Sequence, residues 1–176
     1  MSLFIRRAAN VDHEPQVHDI MSVSEKNELV HSASIGMRGK MREKLIQAAL
    51  KARKNAYVPY SNYQVGAALL TEDGEIWQGC NVENASYGAT CCAERTAVFK
   101  AVSEGKKHFR AIAITGGIQG KEPEDYAYPC GICRQVLNEF AGKDGLTVIV
   151  AKSTSEYQEY PLSELLPHSF GGDSIV

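Results

Sequence analysis

A β-hairpin signal in the first half of the chain is the feature that most restricts the fold. Two short apolar runs, residues 65–70 and 76–82, are separated by a polar segment that contains the pair Asp73-Gly74. An Asp-Gly pair between apolar runs is typical of a tight turn between antiparallel strands. The sequence therefore predicts two adjacent antiparallel strands.

Helices and strands alternate around this hairpin. Apolar residues recur at helical spacing between Met41 and Leu50, which predicts a first helix before the hairpin. Helical stretches near residues 92–102 and 131–140 are each followed by a strand, near 111–115 and 146–151. The order αββαβαβ predicts parallel pairing of the later strands through right-handed crossovers, and a mixed sheet with helices on its faces.

The length of 176 residues favours one domain. Residues 39–176 are expected to form it, whereas residues 1–38 show no sustained apolar period and are expected to be a flexible N-terminal arm. A net charge of −2 disfavours a nucleic-acid partner, which usually needs a basic face. No apolar run approaches the roughly 20 residues of a membrane span, so we expect no membrane partner and a cytoplasmic location.

The five cysteines are an odd number for a disulfide framework and are better explained as ligands, reactive thiols or core residues. Cys130 and Cys133 lie one helical turn apart at a predicted helix start. That spacing suits a zinc ion, and it suits a thioredoxin-like redox pair equally well. Cys92, at the start of another predicted helix, offers a third thiolate. Three protein ligands and one open position are typical of catalytic zinc.

Two residues beside Cys92 add chemistry to this metal site. An acidic residue such as Glu94 is common in the first turn of a helix, where it interacts well with the helix dipole. Beside an open zinc position, however, its carboxyl group can also move protons between water and substrate. Arg95 is expected to donate hydrogen bonds to the ligand sulfurs and to withdraw some of their negative charge. Cys91 and Cys80 are expected to lie outside the metal site as small buried residues.

Five segments resemble the small, tetrameric cytidine deaminases, in that family's order and at compatible spacings. They are Tyr57-Val58-Pro59-Tyr60-Ser61, Val65-Gly66-Ala67-Ala68-Leu69, Asn81-Val82-Glu83-Asn84-Ala85, Cys92-Ala93-Glu94-Arg95-Thr96-Ala97 and Pro129-Cys130-Gly131-Ile132-Cys133-Arg134-Gln135. The Cys-x-Glu and Pro-Cys-x-x-Cys parts match the zinc deaminase motif in its three-cysteine form. The resemblance implies a three-layer α/β/α fold with a mixed five-stranded sheet, one Zn²⁺ per subunit, and a homotetramer with shared active sites.

The resemblance also implies the substrate contacts. Asn81 and Glu83 would hold the ribose hydroxyls of a nucleoside, and a free Glu83 carboxylate would repel a substrate phosphate. The chain has Tyr63-Gln64 where the family usually has Phe-Pro, so an aromatic ring is kept. Further substrate contacts that the resemblance implies come from Tyr63, Ala93, Tyr87 and Phe170, of which Tyr87 and Phe170 would act across a subunit interface.

The predicted reaction is zinc-dependent hydrolysis of cytidine and deoxycytidine to uridine and deoxyuridine, with release of ammonia, in pyrimidine salvage. Three alternatives stay open at this point. The substrate could be a related cytosine compound such as an aminoacylnucleoside antibiotic. The chain could instead be a structural zinc or RNA-binding module, or a redox enzyme that uses Cys130 and Cys133. The pair Asn81 and Glu83 favours the plain nucleoside, and the balanced charge argues against RNA.

Overall fold

The computed structural model describes residues 39–175. They form a mixed five-stranded sheet with helices packed on both faces, which confirms the expected fold class. The predicted arm, residues 1–38, lies outside the described residues and stays a prediction. None of the described helices is long and apolar enough to cross a membrane.

The helices and strands follow one another as α1 (Gly39–Arg53), β1 (Tyr63–Thr71), β2 (Ile76–Cys80), α2 (Ala93–Ser103), β3 (Phe109–Ile118), α3 (Gly131–Glu139), β4 (Thr147–Ala151), β5 (Tyr157–Pro161) and α4 (Leu162–Leu165). Their order in the sheet is β2-β1-β3-β4-β5. Strands β3 and β4 are parallel, and the other neighbouring pairs are antiparallel. The predicted hairpin and the parallel pairing of the later strands are both present.

The central strands are apolar on both faces because each face is covered by helices. Residues two apart on a strand share a face, so in β1 Ala67 and Leu69 pack towards α2 and α3, whereas Ala68 and Leu70 pack towards α1. Strands β3 and β4 divide in the same way. The result is three layers, with α2 and α3 side by side on one face.

Two glycines in the hairpin allow the helices to approach the sheet closely. A Cβ atom on Gly66 would lie 2.1 Å from the carbonyl oxygen of Ala49 in α1. On the other face, a Cβ atom on Gly79 would lie 2.5 Å from the carbonyl oxygen of Ala93 in α2. Such distances exclude any side chain, so both helices can pack this closely only against glycine.

The main element that sequence periodicity did not locate is β5, with the short helix α4 that follows it. Strand β5 reads Tyr-Gln-Glu-Tyr-Pro, and all five residues are only partly buried. It lies at the edge of the sheet, pairs with β4 alone, and ends at Pro161. An edge strand of this kind has no apolar run or clear alternation for periodicity to detect.

Candidate metal centre and active site

The three candidate ligands come from the starts of the two neighbouring helices. Cys92 is the N-cap residue of α2, and Cys130 is the N-cap residue of α3. Cys133 lies in the first turn of α3 and is fully buried. Because α2 and α3 pack on the same face of the sheet, their first turns bring together sulfurs that are 38 residues apart in sequence.

The three sulfurs converge as a metal site requires. The Sγ atoms of Cys92 and Cys130 are 4.0 Å apart, and those of Cys130 and Cys133 are 3.4 Å apart. All three lie within 4.8 Å of one another, so they could hold a single ion. Three thiolates leave one position of a tetrahedral zinc for water or substrate. Among the described residues, no other cluster of three potential ligands is found.

The electrostatics of the site favour an ionised sulfur at Cys92. Hydrogen bonding from the Cys133 thiol, aided by Arg95, lowers the pKa of Cys92 to about 5. The Cys133 thiol, as the donor to the Cys92 sulfur, holds its own proton more tightly, and burial acts in the same direction, so the pKa of Cys133 is raised. The helix dipoles of α2 and α3 also favour negative charge at their first turns. Cys92 can therefore offer an ionised sulfur near neutral pH.

Glu94 is a buried carboxyl group beside this cluster. It lies in the first turn of α2, two residues after Cys92, and its exposure is only 4%. Burial raises its pKa to about 7, and the charge on Cys92 acts in the same direction. A carboxyl group with such a pKa can both accept and release a proton near neutral pH.

Arg95 lies next to the sulfur of Cys92, one of the three candidate ligands. Its Nη2 donates to the Sγ of Cys92 at 3.8 Å and to the carbonyl oxygen of Thr90 at 3.0 Å. The bond to Thr90 fixes the guanidinium beside the Cys92 sulfur. A cationic donor in this position withdraws charge from the thiolate.

The remaining cysteines lie outside the cluster. The Sγ of Cys91 accepts from the Thr96 hydroxyl at 3.6 Å and contacts the Cys92 carbonyl. The Cys80 thiol donates to the carbonyl oxygen of Asn55 at 3.4 Å, and burial raises its pKa. Neither residue belongs to the group of three converging sulfurs.

Asn81 and Glu83 lie just past the end of β2 and on either side of Val82, which bridges to Cys91 and Tyr57. The Asn81 side chain already joins two main-chain groups of β1. Its Oδ1 accepts from the Val65 N–H at 2.8 Å, and its Nδ2 donates to the Tyr63 carbonyl at 2.9 Å. One N–H and one oxygen lone pair of the amide are left for a ligand.

The Glu83 carboxylate is held by three donors from one turn. It accepts from the main-chain N–H groups of Tyr60 and Ser61, at 2.9 and 3.3 Å, and from the Ser61 hydroxyl. The Ser61 hydroxyl is the largest cause of the lowered pKa of Glu83. The carboxylate is thus kept ionised and oriented at the surface of the protein. Sequence reasoning did not assign this role to Ser61.

Tyr63 lies at the start of β1, on the same face of the sheet as α2 and α3. Its ring packs over Gly116 of β3, where a Cβ atom would lie 3.0 Å from the phenol oxygen. Desolvation, followed by the charge of Asp125, raises the pKa of Tyr63. The ring borders a cavity of about 50 Å³ that is also lined by Gly117, Ile118, Lys121, Glu122, Glu124 and Asp125.

The two aromatic residues expected to act across an interface are both exposed. Tyr87, in a short 3-10 turn, is 78% exposed, and Phe170 is 58% exposed. The Tyr87 ring contacts Tyr60 edge-on, with ring centroids 6.2 Å apart. Neither ring belongs to the core of its own chain. Ala93, by contrast, is fully buried.

A buried arginine is a second feature that sequence reasoning missed. Arg53 ends α1 and donates to the carbonyl oxygens of Gln64, Ile118 and Lys121, at 3.2, 2.8 and 2.8 Å. It thereby ties the start of β1 to the loop that borders the Tyr63 cavity. The available signal was its place on the apolar face of α1, four residues after the buried Ala49.

Comparison with known proteins agrees with this geometry. Residues 40–149 match the family model described as the cytidine and deoxycytidylate deaminase zinc-binding region. The chain is 46% identical over 133 residues to a cytidine deaminase of Sporosarcina psychrophila, which covers 76% of this chain and 93% of the relative. It is 48% identical over 134 residues to a cytidine deaminase of Halalkalibacterium halodurans, covering 76% of this chain and 97% of the relative.

A solved structure gives the same result. The crystal structure of a cytidine deaminase from Burkholderia pseudomallei superimposes with a TM-score of 0.64 and 47% sequence identity. The match covers 72% of this chain and 97% of that one. The fold, the converging cysteines and the sequence similarity therefore agree.

Proposed function

We propose that this chain, which belongs to the cytidine and deoxycytidylate deaminase family, hydrolyses free cytidine and deoxycytidine to uridine and deoxyuridine and releases ammonia. The observation that carries the proposal is the buried Glu94 carboxyl group beside three converging thiols. A proton carrier beside an open metal position is what hydrolytic deamination requires.

Cys92, Cys130 and Cys133 would hold one Zn²⁺ per subunit. The donor set fits zinc, because soft thiolate ligands at tetrahedral spacing suit this ion, and the described cluster offers no fourth protein ligand. When bound, zinc supplies the acidification of water that makes a nucleophile available near neutral pH. Arg95, as a donor to Cys92, would offset the negative charge of the three thiolates, which otherwise opposes that acidification.

Glu94 would carry the protons of the reaction. It would take one proton from the attacking water and deliver it to the ring nitrogen next to C4 of cytosine. After the oxygen has added to C4, Glu94 would take the remaining proton of that oxygen and give it to the departing amino group. Cytidine and water have then become uridine and ammonia, and both products leave. A pKa near 7 suits both directions of transfer.

Four further residues would orient the substrate. Asn81 has one amide hydrogen and one oxygen lone pair left, and Glu83 presents an oriented carboxylate, so together they can bind ribose hydroxyls. The Ala93 N–H lies in the first turn of α2, where main-chain donors have no partner within the helix, and would face the base. Tyr63 would pack its ring against the nucleoside.

The exposed rings of Tyr87 and Phe170 support a homotetramer with shared active sites. In this proposal each ring closes the pocket of a neighbouring subunit, which explains why neither is buried in its own chain. Phe99 and Ile132 are also exposed, at 51% and 63%, and lie on α2 and α3, the helices whose starts carry the candidate metal ligands. Apolar surface of this kind is typical of an interface.

We place the reaction in the cytoplasm, as part of pyrimidine salvage. All five cysteines are free thiols in the described structure, as expected in a reducing compartment. The pair Cys130 and Cys133 is explained by the metal site, because a third sulfur, from Cys92, lies 4.0 Å from the Sγ of Cys130. This third sulfur favours a metal site over a redox pair.

Ammonia release from four compounds tests the proposal: cytidine, deoxycytidine, cytidine 5′-monophosphate and an aminoacylnucleoside that contains cytosine. We expect turnover of both nucleosides and poor turnover of the monophosphate, because the Glu83 carboxylate repels phosphate. In Glu83→Gln protein the turnover of the monophosphate should come closer to that of cytidine than it does in the wild type. Turnover of the aminoacylnucleoside alone would contradict the proposal, as would RNA binding in moderate salt without any ammonia release.

A further inference from the structure

Two side chains of α3 donate hydrogen bonds to the same main-chain oxygen near the C-terminus. The Nε2 of Gln135 and the Nδ2 of Asn138 both donate to the carbonyl oxygen of Phe170, each at 3.1 Å. Residues three apart on a helix lie on the same face, so the two amides can reach the same acceptor. A carbonyl oxygen has two lone pairs, and this arrangement occupies both. We call the pair the α3 clamp.

The clamp determines where the C-terminal segment lies. In the described part of the chain, these two bonds are the only side-chain hydrogen bonds that join residues 167–170 to another element. Residues 167–170 are all exposed, and His168 has a positive φ of 56°. With so little packing, the path of this segment depends on the few bonds that hold it.

The helix that holds Phe170 also carries two of the three thiols. Cys130 is the N-cap residue of α3 and Cys133 lies in its first turn, and the two clamp residues follow in the next turns. Arg134 adds a third link, since its Nη1 donates to the Leu165 carbonyl at 2.8 Å. The metal-binding helix thus holds the chain at Leu165 and again at Phe170.

We propose that Gln135 and Asn138 are positioning residues, which hold the Phe170 main chain so that its exposed ring projects towards the pocket of a second copy of this chain. The inference rests on the proposed function, in which Phe170 closes that pocket. Fixing the ring before substrate arrives lowers the conformational entropy that nucleoside binding would otherwise lose. The clamp therefore acts on substrate binding and leaves the chemical step alone.

The test replaces the donors without changing their shape. Asn138→Asp and Gln135→Glu exchange an amide N–H group for an acceptor oxygen, which repels the Phe170 carbonyl. Glu139→Gln is the control, because it is a matched one-atom exchange at an exposed position of α3 whose side chain makes no hydrogen bond to any described residue. Each variant is assayed as full-length zinc-loaded protein for KM, kcat and zinc content. Hydrogen exchange of residues 168–175 is measured in parallel.

We expect the Asn138→Asp, Gln135→Glu double variant to raise KM for cytidine about three- to tenfold, as for the loss of one or two modest hydrogen bonds. Its kcat and zinc content should stay at the wild-type level, and residues 168–175 should exchange faster. Added to Phe170→Ala, the same changes should raise KM no further, because the ring they position is gone. The Glu139→Gln control should behave as wild type.

Two results would overturn the clamp. One is unchanged KM and unchanged exchange in the double variant. The other is an equal rise in KM with and without the Phe170 ring, since the amides would then act on something else. If wild-type protein fails to turn over cytidine, the proposed function is wrong, and the exchange measurement by itself decides for or against the clamp.

Discussion

Gly79 of β2 lies directly against α2, so that a Cβ atom on Gly79 would stand 2.4 Å from the amide nitrogen of Ala97. The same atom would stand 2.5 Å from the carbonyl oxygen of Ala93. This contact fixes the depth of the first turn of α2, and with it the positions of Cys92 and Glu94. The absence of one side chain in the sheet therefore helps to place the metal site.

Gly79→Ala is expected to displace the first turn of α2 and to weaken the fold. Overpacking against main-chain atoms costs about 1–3 kcal/mol of unfolding free energy, because neither the strand nor the helix can yield locally. Denaturant unfolding and the rate of zinc loss to a chelator measure the two effects. Gly39→Ala is the control, since a Cβ atom there meets nothing within 4 Å. Equal stability and equal zinc retention in both variants would contradict the role of Gly79.

The cysteines are expected to separate into two groups on substitution by alanine. Cys92→Ala, Cys130→Ala and Cys133→Ala should each lose most bound zinc, because two thiolates do not complete the site. Cys91→Ala and Cys80→Ala should keep about one zinc per chain, since their sulfurs lie outside the cluster. Zinc is quantified by atomic absorption after gel filtration. Zinc loss from Cys91→Ala with retention in Cys92→Ala would reverse the assignment.

Ser61→Ala is expected to raise KM for cytidine several-fold with little change in kcat. The Ser61 hydroxyl donates to Glu83 and so orients a proposed ribose-binding group. It also accepts from the Tyr63 N–H, which fixes the main chain of a second proposed substrate contact. Steady-state kinetics with cytidine measure the effect. Ser163→Ala, on the exposed face of α4, is the matched control. A fall in kcat at constant KM would mean that Ser61 serves the chemical step instead.

Much of the fold follows from local patterns that agree with one another. The Asp73-Gly74 turn specified the hairpin, in which Gly74 has a φ of +90°. The apolar runs of β3 and β4 specified buried strands because helices cover both of their faces. Strand β5 escaped detection because its partly buried residues and its edge position require no apolar pattern. Its pairing with β4 depends on tertiary structure.

Some features of the candidate site could likewise be predicted from local sequence patterns, and others depend on tertiary packing. The spacing of Cys130 and Cys133 places two sulfurs on one helical turn, which the sequence shows directly. The approach of Cys92 to them depends on how α2 and α3 pack, which its place at a second predicted helix start and the motif resemblance indicated but no local spacing fixes. Arg53 and Asn138 were missed because they donate to main-chain carbonyls distant in sequence. Ser61 was missed because its hydroxyl donates to the Glu83 carboxylate, 22 residues away. No local pattern encodes such contacts.

The central claim is that Glu94 carries the protons in a zinc-dependent deamination of cytidine. The most direct test is the loss of cytidine ultraviolet absorbance on adding wild-type or Glu94→Gln protein, with zinc quantified in both. We expect the wild type to deaminate cytidine, and the variant to keep its zinc but lose about 10²- to 10⁴-fold in turnover. Zinc-loaded wild type that leaves cytidine untouched, or a variant with full turnover, would contradict the account.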